Sequence, residues 1–229
     1  MLEALKEQVC EANLELVDHG LVTLTWGNVS GISDDRQHVV IKPSGVSYDE
    51  MRPEQMVVVD LDGKVIEGTL RPSSDTPTHV RLYCQFQAIG GIAHTHSRSA
   101  TIFAQARMEI PCFGTTHADH FLGPIPVTRP LTEKELDAGY EANTGAVIVE
   151  RFRDLDAMAM PAVLVAGHAP FAWGKDVAEA VKNAVALEAV AEMALGVLAL
   201  RPEGVTLEPY VLNKHYERKH GPNAYYGQR

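Results

Sequence analysis

The chain is poor in cysteine and in basic charge, and it lacks long apolar runs. Each shortage removes a class of protein. Three cysteines in 229 residues, Cys10, Cys84 and Cys112, are odd in number and far apart. They make neither a disulfide framework nor a cysteine-based metal site, so reduced structural thiols are expected. Lys and Arg number 20 against 30 Asp and Glu, a formal net charge of −10. A general nucleic-acid binder needs a basic face, so no nucleic-acid partner is expected. A small anion is not excluded, because backbone N–H groups with one or two cations bind phosphate even within an acidic protein. No uninterrupted apolar run reaches the roughly 18 residues of a membrane span, so no membrane partner is expected. The opening "MLEALKEQVCEANLEL" is an amphipathic helix pattern rather than a signal peptide, which points to the cytoplasm.

What remains is ordinary globular composition, with 45% hydrophobic and 22% charged residues. The length supports one sizeable core, and a single domain over residues 1–229 is expected. Leu2, Leu5, Val9, Ala12 and Leu16 follow helical spacing up to His19-Gly20. "LVTLTW" reads as a strand leading into "GNVSG", and "HVVIK" as a second strand that breaks at "PSG". "MVVVDLDGKVIEG" reads as a hairpin turning at Asp62-Gly63. Thr76 and Pro77 read as the cap and first position of a helix. Thr132 and Glu135 form a capping box, and Asp176 with Glu179 starts the longest helix. "YVLNKHYERKHG" is a last helix stopped by Gly221. The irregular mixture of strands and helices implies an α/β or α+β protein with a central mixed sheet.

Chemistry gathers around "GGIAHTHSRSA", Gly90 to Ala100. On a strand, residues i and i+2 share a face, so His94 and His96 at the end of a short buried strand suit a divalent metal. Two ligands do not make a site. His168 closes another apolar run, "AVLVAGH", at an expected strand end, and strand ends on one sheet edge converge. Taken alone, His168 reads equally well as a core histidine. Asp75 in "PSSDTP" is a fourth ligand, a general base, or a helix-start carboxylate favoured by the macrodipole. "KPSG", with Lys42, Ser44 and Gly45, and "PSS", with Ser73 and Ser74, are turns of the kind that hold phosphate, and Asn28 adds a side-chain donor. Asp119, between His117 and His120, is a proton-transfer candidate or a solvated loop acid. Tyr225 and Tyr226 sit in a tail too short for its own core, marking either a docking surface or a frayed end.

Seven segments in one order, "LVTLTWGNVS", "IKPSGV", "PSSDTPTH", "GGIAHTHSRSATIFAQA", "GTTHAD", "HAPFAWG" and "KHYERKHG…AYYGQ", resemble the class II aldolase/epimerase family over nearly the whole chain. The resemblance implies an α/β single domain with a mostly antiparallel or mixed central sheet flanked by helices. It implies Zn2+, with Mn2+ or Co2+ as substitutes, on His94, His96 and His168, with Asp75 beside the metal. It maps phosphate and substrate contacts onto Asn28, Lys42, Ser44, Gly45, Ser73, Ser74, His215 and Arg218. It maps proton transfer onto Asp119 and Tyr226, reaching the site from an adjacent subunit of a homotetramer. The activity implied is C4 epimerisation of L-ribulose 5-phosphate to D-xylulose 5-phosphate, by metal-dependent cleavage and re-formation of the C3–C4 bond. The substrate would come from arabinose or ascorbate-type sugar breakdown. The nearest rival is a sugar-phosphate aldolase of the fuculose or rhamnulose phosphate type on the same fold. A cupin is opposed by the distance from His96 to Glu109, and a metal-free scaffold of the adducin kind by the intact histidine set.

Overall fold

The computed structural model describes residues 2–222 together with Ala224 and Tyr225; Tyr226 lies outside the described residues. Its centre is a seven-stranded sheet. The strands are β1 Asn28–Ile32, β2 His38–Ile41, β3 Val57–Asp60, β4 Val65–Glu67, β5 Gly91–His94, β6 Ala162–Leu164 and β7 Pro170–Gly174. Their spatial order is β4-β3-β2-β1-β5-β7-β6, and every neighbouring pair is antiparallel. Among the described residues eight α-helices surround it: α1 Glu3–Asp18, α2 Thr76–Gln85, α3 Arg98–Ala106, α4 Thr115–Ala118, α5 Glu133–Ala138, α6 Tyr140–Arg151, α7 Val177–Leu200 and α8 Pro209–His220.

Strand alternation separates the two layers. On β1, Gly31 faces α1 and α7: a Cβ there would meet Val177, Leu5 and Val9. Ser30 points the other way, onto α2. On β7, Trp173 faces the same side as Ser30 and packs against Phe86 and Phe152. Both faces are therefore covered, and Val29, Val40, Val57, Ile92 and Trp173 are fully buried. Each such side chain contributes about 1.5–3 kcal/mol relative to exposure.

The helix α7 is long and apolar enough to cross a membrane by length and composition alone. Here it packs on β5, β7, α1 and α3, and its Val181, Leu187 and Val190 are buried. Asp176 caps it, accepting from Glu179 N at 2.8 Å. It also clamps the histidine segment at both ends. A Cβ on Gly91 would lie 2.5 Å from Asp176 O, so only glycine lets the start of α7 press onto β5. Further along, Glu188 accepts from Ser99 N and Ala100 N at 2.7 and 3.0 Å, fixing the start of α3 just after His96.

Three expectations are corrected. "LVTLTW" is not a strand but a tight turn, with Trp26 N donating to Thr23 O and Leu24 at φ +53°. "AVLVAGH" does not carry its strand to the histidine: β6 stops at Leu164, and His168 lies in the turn before β7, where Gly167 takes φ +75°. Thr76 is the first helical residue rather than the cap, and its hydroxyl donates back to Ser73 O at 2.6 Å. The hairpin at Asp62-Gly63 and the Thr132–Glu135 capping box form as expected. The helix opened by that box is broken at Gly139, which separates α5 from α6.

Candidate metal centre and anion loops

His94 ends β5, His96 follows two residues later, and the β6–β7 turn brings His168 to them. Their ligand nitrogens all lie within 4.8 Å of one another. His94 is 1% exposed and stacks on Phe171 at 4.1 Å. Its Nδ1 lies 2.9 Å from Pro170 O. A carbonyl only accepts, so Nδ1 carries the proton and Nε2 offers its lone pair. That Nε2 faces His168 Nε2 at 3.3 Å. The other nitrogen of His168 is held by the Tyr140 hydroxyl at 2.7 Å. Burial, reinforced by His94 and His96, lowers the His168 pKa to about 4. Burial and then His94 lower that of His96. At neutral pH both are neutral imidazoles, the form that binds metal.

The Asp75 carboxylate is not spent on capping α2. Its Oδ2 accepts from Asn28 Nδ2 at 2.7 Å and lies 3.9 Å from His94 Nε2. Burial pushes its pKa up, but His94, His79 and the Asn28 hydrogen bond outweigh this and hold it below the usual range. Three imidazoles with an adjacent carboxylate are a donor set that fits a divalent ion of the zinc type. Asn28 Oδ1, buried without a partner among the described residues, is a further unspent acceptor at this site.

The two turns expected to hold an anion are zipped side by side. Ser44 N donates to Arg71 O and Ser73 N to Lys42 O, both at 2.9 Å. Gly45 turns the first loop at φ +73°. The N–H groups of Gly45 and Ser74 make no hydrogen bond among the described residues. One cavity of about 370 Å3 is lined by both turns, by Asn28 and Asp75, and by all three histidines. Lys42 also lines it, but its ammonium donates to Val46 O at 3.0 Å and lies over the Tyr48 ring. It therefore stiffens its own turn, and burial lowers its pKa.

Asp119, His215 and Arg218 are brought together elsewhere and do not line this cavity. Arg218 Nε and Nη2 donate to the two Asp119 oxygens at 3.0 and 2.6 Å, and His215 Nδ1 lies 3.1 Å from Oδ1. Partial burial pushes the Asp119 pKa up, but Arg218, His215 and Lys219 outweigh it and keep the carboxyl ionised.

Two residues of the site went unread in the sequence. Tyr140 has no signal beyond its place after Gly139 at a helix start. His79 is visible only as the residue four after Asp75, on the same helix face.

A half-buried histidine cluster with the donor set for a divalent ion shares one cavity with two serine-bearing turns that leave backbone N–H groups unspent, a layout of the kind found in metal-dependent enzymes of small anionic substrates. Residues 7–195 match the family "Class II Aldolase and Adducin N-terminal domain". The chain belongs to this family. It is 54% identical over 228 residues to the L-ribulose-5-phosphate 4-epimerase UlaF of Salmonella paratyphi B, covering 100% of both chains, and equally to that of Salmonella typhi. Among solved structures it resembles an L-fuculose 1-phosphate aldolase at TM-score 0.82 and 24% identity, covering 94% of this chain and 95% of that one. It also resembles the L-fuculose-1-phosphate aldolase of Thermus thermophilus at TM-score 0.70 and 22% identity, over 89% and 98% of the two chains. At those identities the likeness concerns the fold.

Proposed function

We propose that the chain is an epimerase that interconverts L-ribulose 5-phosphate and D-xylulose 5-phosphate. The observation that carries this is the single cavity joining His94, His96 and His168 to the Ser44-Gly45 and Ser73-Ser74 turns. The identity to relatives of that name supports it. Zn2+ is the ion of choice for three histidines, with Mn2+ or Co2+ as substitutes. Bound there, it supplies Lewis-acid polarisation of the ketose oxygens and stabilises the charge that develops on them.

C4 carries a hydroxyl and no acidic proton, so direct deprotonation cannot invert it. Breaking the C3–C4 bond can. The C4 hydroxyl gives its proton to a base, the C3–C4 electron pair moves toward C2, and C4 becomes an aldehyde. The fragments are the enediolate of dihydroxyacetone and glycolaldehyde phosphate. The two turns keep the phosphate while the aldehyde rotates. C3 then attacks the other face and the new alkoxide recovers a proton. Asp75 and Asn28 order the donor side of the cavity. Asp119 and Tyr226 exchange the protons on opposite faces, with His215 and Arg218 beside them. Asp119 does not line the cavity of its own chain, which supports the reading that these groups come from a neighbouring copy in a homotetramer. The assembly works in the cytoplasm on sugar phosphates from arabinose or ascorbate-type breakdown.

The deciding experiment is a coupled assay on L-ribulose 5-phosphate, before and after chelation, following D-xylulose 5-phosphate and free glycolaldehyde phosphate. Metal-dependent xylulose 5-phosphate with little free aldehyde is expected. Aldehyde as the main product would make the protein an aldolase instead.

A further inference from the structure

We propose that Ser30, His79 and Tyr83 form a positioning column that fixes Asp75 and, through Phe171, His94. This rests on reading His94, His96 and His168 as the metal ligands. The column follows from matched repeats. Asn28 and Ser30 lie two apart on β1 and share the face toward α2. Asp75, His79 and Tyr83 lie four apart and share one stripe of α2 or its start. A two-residue strand step advances about 6.6–6.8 Å, and a four-residue helix step about 6 Å. The two elements can therefore be laced rung by rung. Asn28 Nδ2 meets Asp75 Oδ2 at 2.7 Å, and Ser30 Oγ meets His79 Nδ1 at 2.7 Å. The Tyr83 hydroxyl closes on Ser30 Oγ at 2.9 Å. Arg36 Nη2 donates to Tyr83 O at 2.8 Å and ties down the far end. The first rung is the one at the metal, so its position depends on those behind it.

His79 also reaches the site by a second route. Its ring meets Phe171 edge-on at 5.8 Å, and Phe171 stacks on His94. The imidazole thus braces a ligand's packing partner as well as the helix that starts after Asp75. Ser30 and His79 are fully buried, and His79 Nε2 has no partner among the described residues. An apolar side chain of similar size would avoid burying that atom. The polar column is therefore a poor device for stability and a good one for fixing position and register.

The test compares Ser30→Ala, His79→Leu and His79→Gln with the wild-type protein. Metal affinity is measured by chelator competition, with kcat, KM and thermal unfolding alongside. Ser30→Ala and His79→Leu are expected to bind metal about tenfold more weakly and to lose kcat with little change in KM. Their metal-free thermal midpoint should not fall to match. His79→Gln keeps a partner for Ser30 and should recover part of the affinity. A merely structural column would lower the midpoint and leave the affinity of the folded protein unchanged. Wild-type affinity and kcat in folded Ser30→Ala and His79→Leu would overturn the proposal. Should His79→Leu not fold, Ser30→Ala decides alone, since it removes a single oxygen. Wild-type protein that takes up no divalent metal would instead sink the metal-site reading itself.

Discussion

Around His94 the polar groups come from β1, β5, the start of α2 and the β6–β7 turn, and Phe171 lies flat against the ring. Around Asp119 they come from α4 and α8, with His215, Arg218, Lys219 and His220 all on the last helix. The first group is built into the sheet. Its imidazoles and carboxylate converge on shared space, with His94 and His168 Nε2 atoms only 3.3 Å apart. In the second, an acid is neutralised by the guanidinium beside it. One region is arranged to receive something; the other is electrostatically satisfied as it stands. On the proposed reading, the contrast explains why a single copy can hold metal and phosphate, yet does not bring Asp119 to its own cavity.

Removing a proposed metal ligand should have the largest effect. His96→Asn is expected to lose metal and activity together. On the proposed reading a bound ion would contribute several kcal/mol of charge stabilisation, and about 4 kcal/mol is about a thousandfold in rate. Elemental analysis beside the coupled assay checks this. A metal-free His96→Asn protein with normal turnover would remove the histidine cavity from the chemistry.

Asp119→Asn should keep its metal and lose about 10^2–10^4-fold in epimerisation. Full turnover would withdraw Asp119 from proton transfer. Mixing sharpens the contrast. If sites form between copies, co-refolded His96→Asn and Asp119→Asn chains should regain about a quarter of wild-type sites by random assembly. No recovery in mixed oligomers would place both groups in one copy.

Much of the histidine cavity was legible because its parts are local in sequence. A short apolar strand presents His94 and His96, and the turn residues of "KPSG" and "PSS" announce themselves. Its pairings were not legible. Asn28 and Asp75 meet only when β1 lies along α2, and the His168 turn was hidden by an apolar run with β-propensity on both sides. "LVTLTW" misled for a related reason. Its alternation suits a strand, but Gly27 at φ +109° passes so close to His94 O that a Cβ would lie 2.9 Å from it, and the chain turns before pairing. The Asp119 cluster spans nearly 100 residues, from α4 to α8. Residue spacing gives no hint of that contact.

Within the cavity, Tyr140→Phe is the gentler probe. Its hydroxyl meets His168 Nδ1 at 2.7 Å and sets the ring that offers Nε2. Its loss should weaken metal binding about tenfold with the fold intact, because partners behind a ligand typically contribute that much. Unchanged affinity in a chelator competition would mean that the β6–β7 turn alone orients His168.

The smallest expected effect belongs to the other region, and it is read as stability rather than activity. His117 on α4 is 4% exposed, and its Nε2 donates to Gly123 O at 2.8 Å. Burial lowers its pKa to about 4 from the ordinary 6.5. Between those values the unfolded chain binds a proton that the folded one refuses. Its contribution is therefore fully present above about pH 6.5 and is lost as pH falls toward 4. From pH 7 to 5.5 this costs about 1 kcal/mol. Urea unfolding of metal-free protein at the two pH values measures it, and His117→Gln should shrink the difference by that amount. An unchanged difference in the variant would mean that water reaches this imidazole in the folded protein. The α4 region would then be open in solution, and its contrast with the sheet-built cavity would be one of rigidity as well as charge.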